Sequence, residues 1–171
     1  IGHTGMTWSG FRPSDDACRY GYLVPSNMFA CVVLDHIDQV ATVVWTDSTL
    51  AASARDLRTE IDSGLQQFAR VEHEGETIYA YEVDGLGNHH LMDDANVPSL
   101  LSIPYLGYCA ADDPVYLATR RFVLSDANPY FYRGKLARGV GSPHTPSGYV
   151  WHIALAMQGL TASSLDEMND V

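Results

Sequence analysis

The spacing of apolar residues predicts two long helices in the first half of the chain. Residues 27 to 44 are almost continuously apolar, with a narrow polar side that includes Asp35 and Asp38, a pattern typical of a mostly buried helix. From residue 48 to about residue 70, apolar residues recur at intervals of three and four. This predicts a second helix with one apolar face and one charged, solvated face.

The hydrophobic period then shortens. Residues 72 to 84 contain a Glu-Gly turn followed by alternating apolar and polar side chains, which predicts a small β-hairpin. Residues 130 to 148 are rich in glycine and proline and are expected to form a long structured loop. Helix pairs joined by long polar loops are typical of an all-α toroid whose loops build a pocket at one end. The remaining helices are predicted near residues 97 to 107, 112 to 124 and 149 to 159, and from Ser164, which forms a capping-box pattern with Glu167.

Length and charge narrow the possible functions. With 171 residues, 46% of them hydrophobic, the chain can form one domain with a real core. A formal net charge of −11 argues against nucleic-acid and anionic-membrane partners, which require clustered Lys and Arg. No apolar run in the sequence looks long enough to span a bilayer. Ten tyrosines and three tryptophans instead suit a neutral polyol ligand whose C–H faces lie on aromatic rings.

The cysteine content and the common motifs exclude several further classes. Cys18, Cys31 and Cys109 are odd in number and lack metal-ligand spacing, and Cys18 and Cys31 lie in apolar surroundings. Buried free thiols are therefore predicted in preference to a disulfide. The sequence contains no serine nucleophile elbow, phosphate loop or dinucleotide fingerprint, and we predict no cofactor.

The densest chemistry lies in the opening stretch, where Asp15 and Asp16 are adjacent and follow Trp8 and Arg12. Two like charges this close raise the affinity of one carboxylate for a proton, which keeps a carboxyl group available as a general acid. Alternatively, the pair caps the helix that follows. Arg12 could orient a carboxylate or hold a substrate hydroxyl, and Trp8 could stack on a sugar or pack in the core.

A second cluster occupies residues 82 to 96. Its acids, amides and histidines could hydrogen-bond sugar hydroxyls, while the glycines allow close backbone approach. Adjacent histidines on a short segment cannot easily face one ion, so a metal site is not favoured. The alternative is that Asp94 or Asn96 caps the third helix. The cluster contains Glu82, Asp84, Asn88, His89, His90, Asp93, Asp94 and Asn96.

A third cluster lies in residues 139 to 152, where glycines and prolines impose a fixed turn that presents His144. His144 could bind substrate or satisfy a buried loop carbonyl.

Four long blocks of the sequence resemble glycoside hydrolase family 125, a family of exo-acting α-1,6-mannosidases. The resemblance covers nearly the whole chain in order and implies an (α/α)6 barrel that hydrolyses mannosides without a metal and with inversion at the anomeric carbon. The blocks are GMTWSGFRPSDDACRYGYLVPSNMFA, IYAYEVDGLGNHHLMDDANVPSLLSIPYLGYC, TRRFVLSDANPYFY and GSPHTPSGYVWHIALAMQGLT.

The resemblance also implies roles for individual residues. The family's general acid falls in the RPSDD block, at Asp15 or Asp16, and we favour Asp16. Inversion requires a second carboxyl group roughly 6.5–9.5 Å from the acid. The candidate sugar-binding residues, on the resemblance and the residue types together, are Trp8, Arg12, Glu82, Asp84, Asn88, His89, Asp93, Asp94 and His144.

The family's base is a glutamate in a His-Glu-Ser-Phe motif, and its Trp-Leu-Arg-Asp-Ser motif helps line the sugar pocket. Neither motif occurs in residues 1–171. We therefore expect a single partial catalytic domain, an incomplete portion of the barrel whose open faces are covered by the remaining barrel or by another copy, and which is inactive alone. The alternatives are a non-catalytic carbohydrate-binding remnant and a metal-dependent hydrolase that uses His89, His90, Asp93 and Asp94.

Overall fold

Two long helices dominate the computed structural model, which describes residues 1–169. Helix α1 spans Val24–Val40 and continues as a π-helical turn at Ala41–Trp45, and α2 spans Ser48–Gly64 and continues as a π-helical turn at Leu65–Ala69. Both helices were predicted from their apolar spacing and are confirmed. Asp47 starts α2, because its carboxylate accepts hydrogen bonds from the first free backbone N–H groups of the helix.

One side of α1 is apolar and exposed. On its other side, Asp35 and Asp38 form ion pairs with Arg58 and Arg55 of α2 at 2.8 and 2.5 Å. The prediction of a mostly buried helix is therefore wrong for the described part of the chain, since no element within it covers the apolar side. The exposed residues of this side, here called the α1 apolar face, are Phe29, Val33, Val40, Val43, Val44 and Trp45.

The segment Val24–Trp45 is also long and apolar enough, by length and composition alone, to cross a membrane. The expectation that no segment meets that criterion is therefore wrong. Its ion-paired carboxylates pack along α2, which is how a helix packs against protein.

The strands form three small antiparallel sheets, whereas the sequence predicted a single small β-hairpin. A three-stranded sheet has the order β1-β4-β5, and two hairpins pair β2 with β3 and β6 with β7. The strands are β1 (Tyr22–Leu23), β2 (Arg70–His73), β3 (Glu76–Tyr79), β4 (Glu82–Val83), β5 (His89–His90), β6 (Phe131–Arg133) and β7 (Arg138–Val140).

The predicted hairpin at residues 72 to 84 is therefore divided between two sheets. The hairpin proper ends at Tyr79, whereas Glu82 and Val83 pair with β1 and β5. Every residue from 78 to 83 is buried, so both faces of this stretch are covered and the apolar/polar alternation does not mark where one sheet ends and the next begins.

The later helices are shorter than the first two. The predicted helix at residues 97 to 107 is reduced to its last turn, and the predicted loop at residues 130 to 148 contains the β6–β7 hairpin. Ser164 and Glu167 form the predicted cap: the Ser164 hydroxyl accepts a hydrogen bond from the backbone N–H of Glu167 at 3.1 Å. These helices are α3 (Ile103–Leu106), α4 (Pro114–Val123), α5 (His152–Leu160) and α6 (Leu165–Asn169).

Nearly all of these elements contribute residues to one hydrophobic core. The chain is helix-rich with small sheets. The three cysteines are free thiols, as predicted, but only Cys31 is buried, whereas Cys18 and Cys109 are partly exposed. Burial raises the pKa of Cys31 to about 12. The largest fully buried side chains are Leu23, Met28, Ile61, Leu65, Ile78, Tyr79, Tyr81, Met92, Leu100, Leu101, Ile103 and Tyr116.

Candidate active site

Residues 12 to 16 form a tight turn that gives the two adjacent aspartates different surroundings. The backbone N–H of Arg12 donates to the carbonyl of Asp16 at 2.8 Å, and that of Asp15 donates to the carbonyl of Arg12 at 3.0 Å. Asp15 adopts a left-handed conformation with φ of 70° and is exposed, whereas Asp16 is half-buried. Since α1 begins at Val24 and Leu23 occupies its N-cap position without a side-chain hydrogen bond, neither aspartate caps it, and that alternative is wrong.

A buried ion pair fixes this turn to the three-stranded sheet. The Nε of Arg12 donates to Glu82 Oε1 at 2.6 Å, and Glu82 Oε2 accepts from the backbone N–H groups of Arg19 at 2.7 Å and Tyr20 at 2.9 Å. Burial opposes the charge on Arg12, but the hydrogen bond and charge of Glu82 outweigh it, so the pKa of Arg12 is raised. Glu82 is fully buried. It holds the turn, and within the described residues none of its surface is exposed for the predicted contact with a sugar.

The terminal nitrogens of Arg12 remain available for binding. Within residues 1–169 neither of them forms a hydrogen bond. The guanidinium lies over the ring of Tyr81, 5.6 Å from its centroid. An oriented guanidinium with unused N–H donors suits a hydroxyl or another oxygen acceptor.

Ser14 joins the turn to the loop that follows β5. Its Oγ lies 3.0 Å from Asp16 Oδ2 and 2.8 Å from Asp94 Oδ2. Asp94 is fully buried, and its Oδ1 accepts from the backbone N–H and side-chain amide of Asn96 at 3.1 and 2.9 Å. Asp94 therefore lies directly behind Asp16 and is closed off from solvent.

His144 approaches Asp16 from the third cluster. Its Nδ1 lies 3.5 Å from Asp16 Oδ1, with 51% of the His144 side chain and 30% of the Asp16 side chain exposed. The β6–β7 region reaches this point because the backbone N–H of Ala95 donates to the carbonyl of Gly141 at 3.0 Å. Three loops that are distant in sequence thus meet at one accessible carboxyl group.

Asp93, although next to Asp94, has a structural position. Its two carboxylate oxygens accept from the backbone N–H groups of Leu100 at 2.8 Å and Leu101 at 3.0 Å. Burial raises its pKa to about 7. Asp93 is fully buried, so within the described residues none of its surface is exposed for the predicted contact with a sugar. The turn at residues 99 to 102 is held by Asp93, rather than by Asp94 or Asn96 as the capping alternative predicts.

Asp84 is hydrogen-bonded to Asn88, and Asn88 and His89 line the same cavity, which Asp16 does not line. The carboxylate of Asp84 accepts from the Asn88 backbone and side-chain amides at 3.0 and 2.6 Å. These bonds, chiefly the side-chain amide of Asn88, lower the pKa of Asp84. His89 is paired with Val83 in the sheet and lines a cavity of about 230 Å³ together with Val83 and Asn88.

His90, which was not selected as a binding residue, lies on the Arg12 side of the sheet. It is paired directly with Glu82, and paired residues share a face. Burial lowers its pKa, with the charge of Glu82 acting in the opposite direction. Successive strand residues point to opposite faces of a sheet. Had β5 been recognised from the sequence, this rule would have placed His89 and His90 on different faces.

Trp8 is 64% exposed and packs closely against Gly21. A Cβ added to Gly21 would overlap the indole ring, so only glycine permits this close approach. Trp8, Tyr20 and Asp84 line a cavity of about 350 Å³, which Asp16 and His144 do not line. Trp8 thus both packs and presents an open aromatic surface.

The same residues do not form a metal site in the described structure. Within residues 1–169 no group of three or more His, Cys, Asp or Glu side chains is arranged to hold a metal ion. His89 and His90 project from opposite faces of β5, and both oxygens of Asp93 are occupied by backbone N–H groups.

Comparison with known proteins gives consistent matches over this whole region. A family model described as metal-independent alpha-mannosidase (GH125) matches residues 1–171. The Meiotically up-regulated gene 157 protein of Schizosaccharomyces pombe is 44% identical over 162 residues, which cover 94% of this chain and 32% of that protein. The chain thus spans about a third of that relative's length.

A solved structure also matches this chain closely in sequence and in fold. It is a metal-independent alpha mannosidase of Streptococcus pneumoniae in a non-productive complex with alpha-1,6-mannobiose. The TM-score is 0.94 and the sequence identity is 54%, over 96% of this chain and 39% of that one.

Proposed function

Because the chain belongs to glycoside hydrolase family 125, the metal-independent α-mannosidases, we propose that it is part of an enzyme that releases terminal α-1,6-linked mannose with inversion. Support for the linkage comes from the Streptococcus pneumoniae relative, which is complexed with alpha-1,6-mannobiose. The observation that carries the proposal is the convergence of three loops on Asp16. This carboxyl group is partly exposed, while Glu82, Asp93 and Asp94 behind it are buried.

In the proposed mechanism Asp16 is the general acid and Asp15 is not. Asp16 protonates the departing glycosidic oxygen while a water molecule attacks the anomeric carbon from the opposite face. A carboxylate base on that face accepts a proton from the water, and we assign it to the glutamate of the family motif, which residues 1–171 do not contain.

Substrate binding is assigned to groups with unused polar or aromatic surface around this turn. The terminal N–H groups of Arg12 bind a sugar hydroxyl, His144 orients the leaving group beside Asp16, and Trp8 stacks on a sugar further along the glycan. Asp84, Asn88 and His89 form a separate polar edge that would contact a more distant part of the glycan. The buried carboxyl groups of Glu82, Asp93 and Asp94 hold the segments around these groups in place.

We further propose that residues 1–171 form part of an (α/α)6 barrel in the family-length protein. The α1 apolar face supports this, because it leaves large side chains such as Val43, Val44 and Trp45 exposed within the described region. Burial of such residues contributes about 1.5–3 kcal/mol each. The partner for this face is the remaining barrel or, failing that, a second copy.

The test is an assay of the family-length enzyme on α-1,6-mannobiose, with the anomeric configuration of the released mannose followed by NMR. Asp16→Asn should abolish turnover of mannobiose but retain substrate binding, and a substrate with a good leaving group should restore much of the rate. Asp15→Asn is the matched control and should remain active. Equal loss in both variants contradicts the assignment, and binding without hydrolysis by the wild type favours a carbohydrate-binding remnant.

A further inference from the structure

The position of Ser14 between two carboxyl groups constrains where a proton lies. Ser14 Oγ is within hydrogen-bond distance of both Asp16 Oδ2, at 3.0 Å, and Asp94 Oδ2, at 2.8 Å. A hydroxyl group has one hydrogen and can donate to only one of them. The second contact is a hydrogen bond only when one of the two carboxyl groups carries a proton and donates it to Ser14.

The remaining contacts identify which carboxyl group carries that proton. Asp94 accepts two hydrogen bonds from Asn96 on its other oxygen, so its ionised form is fully satisfied by donors. Asp16 Oδ2 contacts only Ser14 within the described residues, and Asp16 Oδ1 faces Nδ1 of His144. The consistent arrangement has Asp16 donating to Ser14 and Ser14 donating to Asp94.

The surroundings of Asp94 favour a single negative charge in this pair. Asp94 is fully buried, with Asp93 beside it in sequence. The phenol of Tyr81 is also fully buried, interacts electrostatically with both of these aspartates, and has no hydrogen-bond partner. Arg12, the nearest cation on the turn, is already paired with Glu82. A second carboxylate at Asp16 would therefore place a like charge on the Ser14 side of a buried carboxylate, while the half-exposed His144 faces only the other oxygen of Asp16.

We propose that Asp94, acting through the hydroxyl of Ser14, is a positioning residue that keeps Asp16 protonated as the general acid. This inference rests on the function proposed above. When the glycosidic C–O bond breaks, its electron pair stays on the leaving oxygen, which takes the proton of Asp16. The hydroxyl hydrogen of Ser14 then turns from Asp94 to the new Asp16 carboxylate. Water supplies the hydroxyl group at the anomeric carbon, its proton passes to the carboxylate base, and solvent returns a proton to Asp16.

The first experiment measures pH profiles of kcat/KM for the family-length enzyme on α-1,6-mannobiose. Activity falls at alkaline pH when the acid loses its proton. Ser14→Ala and Asp94→Asn should each move this alkaline limb to lower pH by about one unit, a roughly tenfold loss of activity near the wild-type limb. Ser14→Thr keeps the hydroxyl group and should retain the wild-type profile. Alkaline limbs that stay in place in both Ser14→Ala and Asp94→Asn would overturn the proposal.

A second measurement separates this inference from the proposed function, since it needs no turnover. The infrared spectrum of the substrate-free wild type should contain the carbonyl band of a protonated carboxyl group at neutral pH. Asp93, whose pKa is raised to about 7, contributes to the same band, so the variants are compared in an Asp93→Asn background. There, Asp16→Asn should remove the remaining band, whereas Asp15→Asn should leave it. Absence of the band from an active enzyme refutes the proton assignment alone, while its presence in an enzyme inactive on mannosides refutes the proposed function alone. Matching thermal unfolding curves show that each variant is folded.

Discussion

The Nε of Arg12 donates a 2.6 Å hydrogen bond to Glu82, a carboxylate with no exposed surface. This single contact connects the turn that carries Asp16 to the centre of the three-stranded sheet. Because the other oxygen of Glu82 accepts two backbone N–H groups, the pair orients the turn as well as anchoring it. Its effects on stability and on catalysis should therefore appear together.

Removing one partner of this pair should be costly. In the family-length protein, Glu82→Ala leaves the Arg12 guanidinium and two backbone N–H groups without an acceptor, and we expect a loss of about 3–5 kcal/mol in the free energy of unfolding. Glu82→Gln keeps an acceptor and should lose less, but should lower kcat more than it raises KM, because the turn shifts. Urea denaturation and steady-state kinetics measure the two effects. Unchanged stability in Glu82→Ala would show that the pair does not anchor the turn.

Asp93 should make stability depend on pH between about 4 and 7. Burial raises its pKa from 3.8 to about 7, so in this window the unfolded chain releases a proton that the folded chain retains. The contribution of Asp93 to the free energy of unfolding therefore falls as the pH rises, by up to about 1.4 kcal/mol per pH unit. Asp93→Asn cannot ionise and should remove this component.

The measurement is a series of urea denaturations of the wild type and Asp93→Asn between pH 4 and 7. The stability difference between them should shift steadily in favour of the variant as the pH rises. Asp84→Asn, at a loop carboxylate with a lowered pKa, is the control and should not reproduce this trend. A difference that stays constant with pH would contradict an abnormal ionisation of Asp93.

The position of Trp8 can be tested through the glycine beneath it. Gly21→Ala introduces a methyl group where the indole ring lies, so Trp8 must move. If Trp8 stacks on a sugar, KM should rise several-fold while kcat changes little. Gly159→Ala is a matched control, because a methyl group there meets no atom within 4 Å and should be neutral or slightly stabilising. Wild-type KM in Gly21→Ala would argue against stacking.

The α1 apolar face should be buried in the family-length protein. There, Val44→Asp places a charge in an apolar contact and should lower the free energy of unfolding by more than about 2 kcal/mol. Leu136→Asp changes a side chain at the fully exposed tip of the β6–β7 hairpin and should have little effect. Thermal unfolding of the two variants measures the difference. Equal stability of both would show that the face remains open to solvent.

The sequence predicted those elements whose pattern is local. Helices α1, α2 and α4 each carry a clear period or cap. The hydrogen bonds that Asp47 and Asp113 accept from backbone N–H groups of the first turn confirm the starts of two of them. The sheet boundary near Tyr79 was missed because residues on both faces of that stretch are buried, which removes the alternation.

The candidate site was only partly predictable, for a different reason. Asp16, Arg12 and His144 were selected from residue type and resemblance, and they do lie in adjoining positions. Glu82 and Asp93 are the same residue types as the acids that bind sugars, and the sequence does not show that both are fully buried. Their role depends on tertiary contacts with backbone N–H groups from other segments.

The bond between Ala95 and Gly141 also bears on the order of events during synthesis. It brings His144 to Asp16, two residues that are far apart in the chain, and such distant contacts form late because a long loop must close first. A ribosome-bound chain that has emerged only as far as α4 contains the reactive carboxyl group but not its neighbour. Under the function proposed above, a nascent chain of that length therefore holds Asp16 without the histidine that faces it.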